Sequence, residues 1–101
     1  MNVDILFAID DYTESTLNDL IARISSSSTL EQLIYRECEL DEVWRLLDGS
    51  VEIAKKEQPA AVTRLNNART LIHDAHDEIG DNMDTHAAIT CIQKAIAILH
   101  Q

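Results

Sequence analysis

Two glycines and one proline in 101 residues leave this chain few places to turn. A sheet of this length needs frequent tight turns and helices do not, so the scarcity points to an all-α fold. Apolar residues recur at three- and four-residue spacing, and strand-like alternation is absent. The expected architecture is a single helical domain over residues 1–101. It is a small helical bundle of about four helices, closing on a C-terminal antiparallel helical hairpin.

Residues 1–12 read as a flexible arm, or as one weak turn between Asp4 and Asp10. Thr13 reads as the N-cap of a first helix that buries Leu17, Leu20, Ile21 and Ile24. The serines at 25–28 end it, because serine side chains compete for backbone hydrogen bonds. Ser28 and Glu31 have the spacing of a capping box. The helix they open buries Leu33, Leu40, Val43 and Leu47, flanked by Ile34 and Trp44. Its end has two candidate places, residues 48–50 and residues 58–59. Glycine inside a helix costs about 1 kcal/mol and interior proline about 3 kcal/mol, which favours the break at Pro59. There the missing N–H is harmless, since the first helical N–H has no partner in the helix. A third helix then runs over 59–79, with Gly80 as a left-handed C′ residue. Asp84 or Thr85 caps a fourth.

The fourth helix carries two apolar seams. One is Ile89, Ile92, Ile96 and Leu99; the other is Ala88, Cys91, Ala95 and Ile98. So wide a stripe requires cover from two sides. Either the helix is central in the bundle, or Ile89, Ile92, Ile96 and Leu99 form the interface of a homodimer. Residues 59–73 and 86–100 also echo one another. Ala60/Ala87, Ala61/Ala88, Thr63/Thr90, Ala68/Ala95 and His73/His100 are identical, and Leu65/Ile92 and Ile72/Leu99 are conservative. Small residues in matching places let two helices approach closely.

Charge narrows the function. Eighteen acidic residues against eight basic ones give a formal charge of −10. Direct binding to nucleic acid is disfavoured and a basic protein partner favoured. No apolar run reaches the roughly 18 residues of a membrane span, and Met1 to Phe7 lack the basic start of a signal peptide. Cys38 and Cys91 sit among apolar residues and read as buried thiols of a cytoplasmic protein. No nucleophile elbow or phosphate-cradling glycine loop is present, and no motif sets a histidine beside a cysteine. The chain reads as a non-enzymatic protein that needs no cofactor.

The densest polar segment is 73–86, with five acids, three histidines and no base. Asp74, Asp77 and Glu78 fall in the last turns of the third helix, where negative charge opposes the helix dipole by about 0.3–1 kcal/mol each. Asp81 and Asp84 are expected to precede the fourth helix, where their charge is favourable. These five are the expected partner-binding residues. Elsewhere, Asp41 with Arg45 and Glu52 with Lys56 have the spacing of helix-surface ion pairs. Glu37 interrupts the apolar stripe between Leu33 and Leu40.

The function expected is that of a small acidic regulator or inhibitor of phage or mobile-element type, occluding a basic, nucleic-acid-binding surface of its partner. One alternative is a metal-binding or sensing bundle using His73, His76 and Asp77, since imidazole and carboxylate suit transition metals. Another is an obligate subunit or chaperone that covers a larger partner with its apolar face.

Overall fold

The computed structural model describes residues 5–100, and their side chains from Glu14 onward. Among the described residues there are four α-helices and no strand: α1 (Ile5–Ser25), α2 (Leu30–Glu57), α3 (Val62–Asn82) and α4 (Thr85–Leu99). A single 3-10 turn, Pro59–Ala61, leads into α3. Each helix packs on its neighbour in sequence, and α1 also packs on α4, which closes the ring. The bundle measures 46 × 20 × 20 Å. No helix among the described residues is long and apolar enough to cross a membrane.

The boundaries follow local chemistry, and several differ from the sequence reading. Residues 1–4 of the expected arm lie outside the described residues. α1 already begins at Ile5, so Thr13 is inside the helix rather than its cap. Leu17, Leu20 and Ile24 are fully buried as expected. The capping box of α2 is shifted by one residue. Thr29 is the cap; its hydroxyl accepts from Gln32 N–H at 3.2 Å, and Gln32 Oε1 accepts from Thr29 N–H at 3.2 Å. Glutamine serves as well as glutamate at that third position.

α2 runs straight through Gly49 and stops at Glu57. Ser50 faces the core, and its hydroxyl donates to Leu46 O at 2.8 Å, so the buried oxygen is satisfied without breaking the helix. Gln58 then leaves helical geometry while its N–H still donates to Ala54 O at 2.8 Å. α3 passes through Gly80 and ends at Asn82, with Met83 as the left-handed residue at φ 50°. Met83 N–H donates to Ile79 O at 3.1 Å and Asp84 N–H to Glu78 O at 3.0 Å, which satisfies two terminal carbonyls. A left-handed non-glycine costs about 1–2 kcal/mol. Asp84 caps α4, its carboxylate accepting from Ala87 N–H at 2.9 Å.

The core explains the sequence echo. α3 buries Leu65, Ala68, Ile72, Ala75 and Ile79, and α4 buries Ala88, Ile92, Ala95 and Leu99. The echo pairs Leu65/Ile92, Ala68/Ala95 and Ile72/Leu99 are thus matching positions on two buried seams. An antiparallel hairpin turning at residues 83–84 sets Ile79 level with Ala88, Ala75 with Ile92, Ile72 with Ala95 and Ala68 with Leu99. A large side chain meets a small one in every layer, which lets the two helices interdigitate closely.

Candidate functional site

The two apolar seams read on α4 merge into one. Its buried line takes Ala88 and Ala95 from one seam, and Ile92 and Leu99 from the other. Ile92 and Leu99 therefore belong to the chain's own core. Ile89 and Ile96 are only partly buried against it. α3 covers α4 on one side and α1 on the other, and His100 Nε2 lies 2.8 Å from Glu14 Oε2 of α1. The α4 stripe is thus covered from two sides within the chain, with Ile89, Cys91, Ile96 and Ile98 left partly buried at its margins.

Four of the five expected acids share one face: Asp74, Asp77, Glu78 and Asp81 lie at three- and four-residue spacing on α3, away from its buried seam, while Asp84 lies past the turn at the start of α4. Asp81 is a correction: α3 outlasts Gly80 by two residues, so Asp81 sits in the last turn, where the dipole opposes its charge. Asp84 is the one member with a structural duty, as the cap of α4.

What distinguishes this stripe is the company it lacks. On the α1–α2 side, Arg23 and Glu39 form an ion pair, and Arg36 Nε lies 2.7 Å from Glu39 Oε1 with its N–H aimed elsewhere. Arg45 holds Asp41 at 3.1 Å, and Lys55, not Lys56, holds Glu52 at 3.1 Å. Arg69 reaches back from α3 to pair with Asp48; it also donates to Asn66 at 2.6 Å and stacks over Trp44 at 5.7 Å. Among the described residues, no Lys or Arg pairs with any of the five stripe acids.

The stripe's polar contacts are histidines and an amide. His73 Nδ1 lies 3.3 Å from Asp77 Oδ2, and His76 Nδ1 lies 3.4 Å from Asp77 Oδ1. Asn82 donates to Glu78 at 3.4 Å. The metal alternative named His73, His76 and Asp77. Here the two rings stand 6.3 Å apart and lie beside separate oxygens of one carboxylate, His76 within hydrogen-bond range. Among the described residues, no group of three or more His, Cys, Asp or Glu is placed to hold a metal ion.

Two contacts escaped the sequence reading. Glu37, the acid that interrupts the α2 stripe, crosses to α3, where its Oε2 lies 3.6 Å from His76 Nε2. The same oxygen would stand 2.8 Å from a Cβ at position 80, so Gly80 lies under the Glu37 carboxylate, which a side chain there would push aside, and it is not a helix stop. The interrupted stripe was the available signal. Cys38 is exposed instead of buried. Cys91 is partly covered; burial, then the negative charge of Asp74 across the hairpin, pushes its thiol pKa up.

The α2 surface beside the stripe carries exposed apolar side chains: Leu30 at 63%, Ile34 at 50% and Tyr35 at 58% of full exposure. Comparison of the chain with protein-family models, with curated proteins and with solved structures finds no match.

Proposed function

We propose that this chain works by binding rather than catalysis. It is a small acidic regulator or inhibitor that presents Asp74, Asp77, Glu78, Asp81 and Asp84 to a basic surface of another protein. One observation supports the reading: the division of charge between helices. Lys and Arg hold four of the eight acids of α2, Glu39, Asp41, Asp48 and Glu52, while none of the four acids of α3 has such a partner among the described residues and several stand at the helix end that disfavours them. Local conflicts of this kind concentrate at functional surfaces.

The mechanism is occlusion. Carboxylates set along a helix engage the Lys and Arg that would otherwise hold phosphates, so a nucleic-acid-binding partner loses its ligand. Phage- and mobile-element-type inhibitors are the kind of protein this describes. Binding weakens as salt rises, because the screening length is about 10 Å at 0.1 M and shorter above it.

Tagged protein used as bait in lysate of its own host tests the idea, at low and at high salt, beside a D74N/D77N/E78Q/D81N variant. Asp84 is kept, since its carboxylate caps α4. Basic proteins should be retained at low salt, released at high salt and lost from the variant. A partner held equally by wild type and variant refutes the assignment.

A further inference from the structure

A trough runs between α2 and α3 beside the acidic stripe. One recess of about 250 Å³ is lined by Leu40, Asp41, Trp44, His73 and His76. A second, of about 490 Å³, shares Asp41 and His76 and extends past Glu37 to Ile34. The trough has an apolar floor, made of Leu40, the half-buried Trp44 and the half-exposed Ile34. Its α2 bank is acidic, with Glu37, Glu42 and Asp41, the last tied to Arg45. Its α3 bank is His73 and His76, with Asp77 next to both rings.

From this geometry we infer that the trough seats a basic amphipathic helix of the partner, apolar side chains down and Lys or Arg toward the banks. The inference rests on the proposed acidic-surface function and says where on that surface the partner sits. Length agrees: Ile34 to Trp44 spans about 15 Å at 1.5 Å per residue, three turns of a docked helix. Helix-in-groove binding reads side chains at this spacing. Charge chooses among occupants. A second copy of this chain brings another −10 and meets like charge, whereas a basic helix meets opposite charge at Glu37 and Glu42 on the α2 bank and at Asp77 beside the α3 histidines.

Trp44 is the only tryptophan of the chain and lines the trough, so its emission reports on occupancy. The probe is a synthetic peptide of about 15 residues, long enough to take up helix on docking, with leucine at helical i, i+3, i+4, i+7 spacing and lysine elsewhere. An oligolysine of equal length is the comparison. The leucine–lysine peptide should bind, shift Trp44 emission and bind about tenfold more weakly to Ile34→Ser, the loss typical of removing an apolar anchor. Ile34 is half exposed, so this change spares the core, which far-ultraviolet circular dichroism checks. If both peptides bind alike, Trp44 emission stays fixed and Ile34→Ser binds as wild type does, the trough assignment falls and the acidic-surface reading stands. If neither peptide binds at low salt, both fall.

Discussion

The α3–α4 hairpin and the α1–α2 pair are held together in different ways. In the hairpin, alanines and large aliphatics alternate across the seam and the two helices touch along their length. α1 meets α2 more sparsely, and an open trough of about 290 Å³ lies between them, lined by Thr16, Leu20, Glu39 and Leu46 among others. The Arg23–Glu39 ion pair bridges that looser seam, with Arg36 beside Glu39 on α2. The contrast extends to the surface. The α3 acids have no Lys or Arg partner among the described residues, whereas Glu39 on the looser seam is held by Arg23 from the neighbouring helix.

Added volume should break the symmetry between the two seams most strongly. Ala95→Leu has no space in the hairpin layer it shares with Ile72, and should cost about 1–3 kcal/mol in denaturant unfolding. Thr16→Leu puts similar volume into the open α1–α2 trough and should change stability by less than about 0.5 kcal/mol. Equal losses would mean that the two seams are equally tight.

Charge removal should act with opposite signs on the two sides. The D74N/D77N/E78Q/D81N variant relieves the α3 dipole and should gain about 1 kcal/mol. Glu39→Gln loosens a cross-link between half-exposed side chains and should lose about 0.5–1 kcal/mol. A stability loss in the stripe variant would show that its acids do have structural partners.

The smallest effect concerns the cysteines. Exposed Cys38 should be alkylated before Cys91, whose thiol is held protonated by burial and by Asp74. A thiol pKa raised by folding means that the native state binds the proton more tightly. The stability this gives is present below the ordinary thiol range and is lost as pH climbs through the raised value. Equal labelling rates at pH 8 would contradict the placement of Cys91.

Much of this fold is legible in the sequence because its signals are local. Pro59 marks the α2–α3 break, since only a first-turn position tolerates its missing N–H. Leu17, Leu20, Ile24, Leu40, Val43 and Leu47 are buried where helical spacing places them. Where two neighbouring residues offered equivalent chemistry, spacing chose the wrong one. Ser28 and Thr29 both cap well, and Gln32 completed the box for Thr29. Gly80 and Met83 both lie near the end of α3, and propensity favours glycine for the left-handed place. The stripe acids Asp74, Asp77 and Glu78 were legible as a helix face. Their lack of a Lys or Arg partner was not, because Arg69 finds Asp48 across two helices.

The sequence by itself determined the all-helical class, the buried seams and the acidic face, since each depends on residue type at a fixed interval along one helix. Only the tertiary structure decided that Gly80 makes room for Glu37, that Ile92 and Leu99 belong to the chain's own core, and that Trp44 lines an acid-banked trough. Those depend on which residues of separate helices reach the same level. That level is set by where the turns fall and how large side chains interleave with small ones, and no interval along a single helix encodes it.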